Sequence, residues 1–285
     1  MLLLDACRTP LLSLYYLATL PQRRQSAAQL ESDHRAPVTA LFYHRVADTQ
    51  PNAWTISTER FRQQMSWVKQ RFDIVTLEEA QCRIGRRAND RPAVSLTFDD
   101  GYADNCTTAL PWLIENSIPI TYFVTTNHIQ SGEPFAHDVA AGRPLPPNTV
   151  EQIRALAAAG VEIGAHSRTH ADLGTLTDEQ ALYEEIVGSK RDLEAMLDRP
   201  VRYFAFPFGM PENMSCAAFR IAFQAGLWGV CSAYGGYNLP GDDPFHVQRI
   251  HGDPEWARFR NWLTFDPRKL HQPRRFCPRD YRICF

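Results

Sequence analysis

Strand-type runs alternate with helix-type segments about seven times along this chain, and this alternation constrains the fold more than any other feature. Apolar and β-branched residues concentrate in short runs that end at polar or glycine-containing segments. Helices between successive strands favour parallel pairing, since each crossover returns the chain to the same edge of a sheet. The sequence therefore predicts a parallel α/β protein with strands at residues 38–43, 72–76, 93–98, 119–125, 161–165, 201–206, 227–231 and 245–250. It also predicts a long loop or insertion at 127–147, which is rich in glycine and proline, and a long amphipathic helix over 177–197.

A distorted barrel fits this pattern better than an open, doubly wound sheet. No GxGxxG motif follows an early strand, and polar residues suited to chemistry come after several different strands. A chain of 285 residues is long enough for one such barrel. We predict a single catalytic domain over residues 38–265, preceded by an apolar segment and linker (1–37) and followed by a tail (266–285).

Composition argues against several classes of partner. The net charge of −2 provides no basic excess for nucleic acid or for an anionic membrane, so we expect no nucleic-acid partner. The seven cysteines are scattered without a CxxC pair, which indicates reduced thiols. A pairing of Cys277 with Cys284 stays open at this stage.

The first twenty residues are apolar, but Asp5 and Arg8 interrupt them, and the run from Leu11 to Leu20 is too short to span a bilayer. We predict a surface-packed amphipathic segment, with a signal or membrane anchor as the alternative. It allows peripheral membrane contact without a transmembrane span. The corresponding location is cytoplasmic, with a periplasmic or membrane-associated location as the alternative. The polar residues 22–37 read as a linker or loose arm.

Two adjacent carboxylates, Asp99 and Asp100, end the run at 93–98, where α/β proteins place their chemistry. Such a pair is unfavourable unless a cation or a proton separates their roles. His166 and His170 follow a later strand, and two imidazoles with one carboxylate can hold a divalent metal. Three protein ligands leave open positions, as in catalytic sites, so the second carboxylate is free to accept a proton from water. This arrangement predicts metal-assisted hydrolysis of an amide or ester.

Three motifs together resemble those of the polysaccharide deacetylases (carbohydrate esterase family 4, the NodB-homology domain). They are TFDDGY at 97–102, HSRTH at 166–170 and FAFPFG at 204–209. The similarity extends over about residues 38 to 250. It implies a distorted (β/α)7 barrel and the metal-dependent removal of acetyl groups from N-acetylated sugars, on a polysaccharide or a lipid-linked glycan precursor.

The resemblance also implies residue roles. Asp99 takes the position of the general base, and the metal ligands are Asp100, His166 and His170. Zn²⁺ is the expected ion, with Co²⁺, Ni²⁺, Fe²⁺ or Mn²⁺ as alternatives. The positions expected to contact substrate are Tyr102, Pro207, Phe208 and Gly209; among these, the Phe208 backbone is a candidate oxyanion contact, which Pro207 cannot provide because it lacks an N–H.

One position departs from the family pattern. Ala205 stands where most members carry an arginine that orients the base, and Arg202 would point to the opposite face of its strand. Members similar to the poly-N-acetylglucosamine deacetylases also lack that arginine and carry a Tyr-His pair, which Tyr43-His44 matches. We therefore predict His44 as the general acid, with His251 as the competing candidate. Arg249 is the candidate replacement for the orienting arginine, a surface salt bridge being the alternative.

Other functions stay open on this evidence. Ala205 motivates a catalytically weak, sugar-binding relative of the enzymes. The same metal chemistry would also suit an O-acetyl esterase or a hydrolase of amidines or cyclic amides.

Overall fold

A computed structural model describes residues 2–270, 276, 281 and 282, with side chains from residue 9 onward. The strands are β1 Val38–Tyr43, β2 Arg45–Val46, β3 Thr55–Ile56, β4 Asp73–Val75, β5 Ala93–Phe98, β6 Ile120–Val124, β7 Glu162–Ala165, β8 Tyr203–Ala205, β9 Gly229–Cys231, β10 His246–Val247 and β11 Arg249–His251. The α-helices are α1 Leu2–Ser32, α2 Thr58–Lys69, α3 Leu77–Gly85, α4 Ala109–Glu115, α5 Thr126–Ser131, α6 Ala136–Ala140, α7 Val150–Ala158, α8 Glu179–Tyr183, α9 Ser189–Leu197, α10 Cys216–Gln224, α11 Trp256–Leu263 and α12 Pro267–Leu270. Short 3₁₀ turns occupy Ala103–Cys106 and Pro211–Asn213, and a π-helical segment occupies Glu184–Gly188.

The main sheet is parallel and runs β10-β9-β8-β7-β6-β5-β1-β11, with β4 paired to the first half of β5. β10 pairs with β9, whereas β11 pairs with β1, and Gln248 alone separates β10 from β11. One interrupted strand therefore joins the two ends of the sheet and closes the barrel. The predicted distorted (β/α)7 barrel is confirmed, since β10 and β11 together fill the seventh position.

β1 and β5 form the central pair of the barrel, and every residue of both is buried. Strands buried on two faces read as continuous apolar runs, which is why both were detectable in the sequence. Their register pairs Val38 with Ala93 at one end and Tyr43 with Phe98 at the other. This alignment brings His44 beside the Asp99-Asp100 pair at the carboxyl edge of the sheet.

The prediction of a linker or loose arm at 22–37 was wrong, because α1 continues as a helix to Ser32. Tertiary contacts hold it: the buried Arg23 donates to the Asn261 carbonyl and to its side-chain oxygen, both at 2.8 Å, and lies 3.3 Å from Asp266. The outer face of α1 exposes Leu11, Leu14 and Leu17. Across the described residues, no helix combines the length and the apolar character needed to cross a membrane.

Two further segments differ from expectation. Residues 127–147, predicted as a long loop, contain most of α5 and all of α6. The single helix predicted over 177–197 is divided into α8 and α9 by the π-helical segment. Gly188, in that segment, lies against the Arg168 guanidinium, which a Cβ atom would approach to 3.0 Å. The glycine in this segment therefore leaves room for the Arg168 side chain of the HSRTH motif.

Candidate active site

The candidate active site lies at the carboxyl edge of the barrel and collects residues from five different strands. Asp99 and Asp100 follow β5, His166 follows β7, and His44 follows β1. Ala205 ends β8, and Arg249 begins β11. Because parallel strands end at a common edge, residues far apart in the sequence meet here.

Asp100, His166 and His170 form a candidate metal centre. The Asp100 Oδ1 lies 3.3 Å from the Nε2 atoms of both histidines, and the three ligand atoms lie within 4.8 Å of one another. Oδ1 is buried without a hydrogen-bond partner within the described structure, which is costly for a carboxylate unless a cation satisfies it. One oxygen and two imidazole nitrogens match the donor set of first-row divalent ions, so these residues fit the expected metal.

The tautomer of His166 suits this use. Its Nδ1 lies 2.9 Å from the Ala205 carbonyl oxygen and therefore carries the proton that it donates there. Nε2 is then left with its lone pair towards Asp100. The alanine in the arginine slot thus contributes its backbone carbonyl to the candidate centre.

The pKa values reflect the close packing of charge. Burial opposes ionisation of Asp100, but the surrounding imidazoles of His44, His166 and His170 outweigh burial and hold its pKa well below the ordinary range. Burial would lower the pKa of His166, yet Asp100 and Asp99 raise it above its ordinary value. The site therefore attracts positive charge at its centre.

The HSRTH loop is held by acidic residues of the helical segment beneath it. Ser167 and His170 both have left-handed backbone conformations, with φ of 62°. The Ser167 Oγ accepts a hydrogen bond from the His170 N–H at 2.9 Å. Glu185 accepts hydrogen bonds from the Arg168 and Thr169 N–H groups, both at 2.9 Å. These contacts fix a strained loop and so set where His170 points.

Asp99 is engaged differently from its neighbour. Arg249 donates to both of its carboxylate oxygens, at 2.7 and 2.8 Å, and also to Thr97 and to the Ser232 carbonyl. Arg249 has no exposed surface, so the pair is not the surface salt bridge considered as an alternative. Burial raises the pKa of Asp99, but the Arg249 charge overcomes this, and the pKa lies below its ordinary value. Asp99 is held ionised in a fixed orientation.

His44 and His251 both line the cleft, and their rings are in edge-to-face contact with centroids 6.2 Å apart. Trp54 packs on His44 at 4.6 Å. Burial lowers the pKa of His44, although the carboxylates of Asp100 and Asp99 act in the opposite direction. Burial, together with repulsion from His44, lowers the pKa of His251 to about 4. His44 is therefore closer to the carboxylates electrostatically, and its charged form is better supported than that of His251.

The part of the chain that carries Asp99 and the candidate metal ligands is also the part that matches a known protein family. The sequence model of the polysaccharide deacetylase family matches residues 86–226, which contain the Asp-Asp pair, both histidines and the third motif. The chain belongs to the polysaccharide deacetylase family. Family membership and the deacetylase relatives identify it as a hydrolase that acts on non-peptide carbon–nitrogen bonds.

Relatives cover most of the barrel. The Bacillus subtilis protein YxkH, provisionally named as a polysaccharide deacetylase, is 25% identical over 205 residues, 71% of this chain and 68% of its own length. IcaB from Ammonifex degensii is 26% identical with a TM-score of 0.68, covering 81% of this chain and 98% of that one. The Streptococcus pyogenes deacetylase PplD, at 20% identity, has the same fold with a TM-score of 0.66 over 81% of this chain and 99% of its own.

The active-site cleft of this deacetylase has a volume of about 1400 Å³ and is lined by His44, Trp54, Asp99, His170 and Phe208, among others. Phe208 is exposed, has a left-handed φ of 59°, and packs its ring 5.0 Å from that of His170. Its N–H makes no hydrogen bond to the rest of the described structure. Pro207 and Gly209 are buried beside it and shape the turn without lining the cleft.

Tyr102, predicted to contact substrate, is fully buried behind the cleft wall. Its hydroxyl donates to the Asp138 Oδ2 at 2.7 Å, and the Asn52 amide donates to Oδ1 at 3.1 Å. Asp138 lies in α6, one of the segments that line the cleft. Tyr102 therefore supports the wall from behind and does not face a ligand.

Sequence reasoning missed the residues that position Trp54. The buried Arg45 donates to the Gln50 and Thr49 carbonyls and to Thr55, and pairs with Asp104 at 2.6 Å. These contacts fold the segment between β2 and β3 so that Trp54 covers His44. An arginine directly after the Tyr-His pair gave no separate signal, because its partners come from backbone carbonyls and a distant carboxylate.

Proposed function

We propose that this protein is a metal-dependent N-deacetylase acting on N-acetylated sugar residues of a polysaccharide or of a lipid-linked glycan precursor. The observation that carries the proposal is the contrast within the Asp99-Asp100 pair. Arg249 occupies both oxygens of Asp99, while Oδ1 of Asp100 has no hydrogen-bond partner in the described structure and faces two imidazole nitrogens. One carboxylate is prepared to act as a base and the other to act as a ligand.

Asp100, His166 and His170 would hold the divalent ion, Zn²⁺ being our choice. When bound, the ion supplies Lewis acidity, which polarises the acetyl carbonyl and favours deprotonation of water. Asp99 accepts the proton of the attacking water, because Arg249 keeps it ionised and aimed at the cleft. The negative charge that develops on the acetyl oxygen would be met by the free N–H of Phe208.

His44 is our candidate for the acid that protonates the departing amine. It lines the cleft, and its buried Nδ1 makes no hydrogen bond within the described residues. A histidine that is neutral at rest can donate only after taking up a proton, and the nearby carboxylates favour that charged form. His251 stays the alternative, weakened by its stronger tendency to remain neutral.

Arg249 also bears on the competing interpretation. Ala205 suggested a sugar-binding relative that had lost an essential arginine. The Arg249 guanidinium on β11 donates hydrogen bonds to Asp99. The absence of an arginine at Ala205 on β8 therefore no longer argues against catalysis. The binding-protein alternative therefore loses the feature that motivated it.

The decisive experiment measures hydrolysis of a panel of substrates, as acetate release from the acetylated sugars and as ring opening of the cyclic amides, while the metal in the purified protein is quantified. The panel contains N-acetylglucosamine oligomers, O-acetylated xylan and small cyclic amides. We expect acetate from the N-acetylated oligomers, in proportion to the bound metal and abolished by chelation. Release from O-acetyl esters alone, or turnover of cyclic amides alone, would replace the proposed reaction with one of its alternatives.

We also propose that the apolar outer face of α1 allows peripheral contact with a membrane, and that the protein acts in the cytoplasm. Leu11, Leu14 and Leu17 recur every third residue and are 62–65% exposed. Leu14→Ser should weaken cosedimentation with phospholipid vesicles several-fold if this face inserts at the interface. Unchanged cosedimentation, or none for the unaltered protein, would contradict the membrane contact, and cell fractionation tests the location.

A further inference from the structure

A second cavity, of about 660 Å³, adjoins the active-site cleft. It lies between α1, α11, α12 and the segment after β9. Ala233 and His251 line both cavities, so the two spaces meet at the side of the cleft occupied by the candidate acid pair. A chain of sugars with one residue at the candidate metal centre could therefore place a neighbouring residue in this second cavity.

The walls of the second cavity are aromatic. Tyr15 from α1, Tyr234 and the Trp262 ring from α11 all line it. Aromatic faces are the usual surfaces on which proteins seat the apolar faces of ligands with polar edges. The α1 helix, absent from the predicted catalytic core, supplies one of these walls.

The side chains that line this cavity carry more positive than negative charge. Its two carboxylates are engaged with arginines: Asp253 lies 2.7 Å from Arg258, and Asp266 lies 3.3 Å from Arg23. Arg268 and Lys269 also line the cavity, and neither forms an ion pair within the part of the chain that the structure describes. Two cations thus face the space without a carboxylate of the described residues within ion-pair distance.

Of the two cations, Lys269 gives the stronger indication that this cavity binds an anion. Its ammonium lies 3.3 Å from the centre of the Trp262 ring and is half-buried. Burial lowers its pKa to about 8, with Asp266 acting to raise the pKa and Arg23 to lower it. A partly desolvated ammonium without a carboxylate partner is unfavourable, and an oxyanion would relieve that cost.

We propose that this second cavity binds an oxyanion, a carboxylate or phosphate, carried by the glycan next to the sugar that is deacetylated. The inference rests on the proposed function and narrows its substrate class to acidic glycans. Lys269 and Arg268 contact the anion, and the aromatic walls contact the sugar that bears it. The affinity of the protein for a glycan then depends on whether this neighbouring sugar is charged, and not on the acetylated sugar itself.

The test compares how tightly two oligosaccharides bind to the full-length, metal-loaded protein. One is a neutral N-acetylglucosamine trimer and the other contains glucuronate beside N-acetylglucosamine, each measured by titration calorimetry. At pH 6.5 we expect a preference of about tenfold for the acidic ligand, as for one charge-assisted contact. Lys269→Met should remove most of that preference, whereas Lys69→Met, an exposed lysine at the end of α2, should retain it.

The pH dependence provides an independent check on the same residue. Lys269 is charged below its pKa and neutral above it, so the preference of the unaltered protein should fall between pH 7 and pH 9.5. Lys269→Arg should keep the preference across that range, because the guanidinium stays charged. If Lys269→Met does not fold, Arg268→Gln, an exposed change, should lower the preference about threefold.

Two results would overturn the proposal. One is an equal ratio of affinities in the unaltered protein, Lys269→Met and Lys69→Met. The other is binding of inorganic phosphate as tight as that of the acidic oligosaccharide, which would indicate a site for a free anion. Because the readout is the ratio of affinities and not acetate release, failure to release acetate would count against the proposed function alone.

Discussion

Asp99 and Asp100 are adjacent in the chain but differ in their hydrogen-bond partners. Asp99 has a regular backbone at the strand end and both oxygens in hydrogen bonds from a buried arginine. Asp100 has a left-handed backbone, with φ of 73°, and a buried oxygen without a hydrogen-bond partner in the described structure. Both side chains are nearly inaccessible, at 2% and 3% exposure of the residue, so solvent does not compensate either charge.

The difference separates two functions that the sequence places side by side. A carboxylate already satisfied by arginine gains little from a further cation, but it remains ionised and oriented to receive a proton. A carboxylate turned by a left-handed residue towards two imidazoles is incomplete without a cation. The backbone reversal at Asp100 is what directs two neighbouring acids to different partners.

Replacing Asp100 should have the largest effect, because it removes a ligand. Asp100→Asn is expected to lose most of the metal and to reduce deacetylation by about 10³-fold or more, since the Lewis acid is worth several kcal/mol. Metal analysis and acetate release measure the two effects. Asp198→Asn is a matched control, because Asp198 is also left-handed, with φ of 52°, and exposed on the surface. Full metal content in Asp100→Asn would contradict the assignment.

Replacing His44 should have the second-largest effect. His44→Gln removes a proton donor and is expected to lower kcat by about 10²-fold, with metal content unchanged. The alkaline limb of the pH–rate profile should disappear with it, because a general acid must be protonated and activity is lost as pH rises through its pKa. His251→Gln is the comparison variant. A larger loss in His251→Gln than in His44→Gln would reverse the choice of acid.

Arg249→Lys should have a smaller effect on rate. Lysine keeps the charge but cannot donate to both oxygens of Asp99, so we expect about a tenfold decrease in kcat. Arg249 lowers the pKa of Asp99, and weakening that contact should raise the pKa and move the acidic limb of the profile to higher pH. Arg249→Met, which leaves Asp99 buried without its partner, should cost about 3–5 kcal/mol in the free energy of unfolding. An unmoved acidic limb would show that Arg249 does not tune Asp99.

Tyr102→Phe should affect stability more than chemistry. The change removes a hydrogen bond to the buried Asp138 and should lower the free energy of unfolding by about 1–2 kcal/mol. Denaturant unfolding measures the loss, and kcat should stay within about twofold. A large fall in kcat at unchanged stability would restore the predicted contact with substrate.

The sequence predicted the barrel and the candidate metal cluster because both depend on local patterns. Buried strands such as β1 and β5 are continuous apolar runs. Asp100 and His166 follow strand ends within two residues, and His170 belongs to the same five-residue motif as His166. The Arg249 position was predicted only as one of two alternatives, since its distance to Asp99 depends on how β11 closes the sheet against β1.

Features that depend on contacts between distant segments were not predictable in the same way. The helical state of residues 22–32 rests on Arg23 binding Asn261 and Asp266. The burial of Tyr102 depends on Asp138, in a segment predicted to be a loop. In each case the local sequence is polar or ambiguous, and the partner that decides the structure lies at least 36 residues away.

The metal content and activity of Asp99→Asn test the central claim most directly. This account predicts that the variant keeps the metal stoichiometry of the unaltered protein, within error, while acetate release falls by about 10³-fold or more. The asparagine is isosteric and leaves the Asp100, His166 and His170 cluster intact, so the two readouts should separate. Loss of metal from Asp99→Asn, or acetate release retained at the level of the unaltered protein, would contradict the division of the pair into base and ligand.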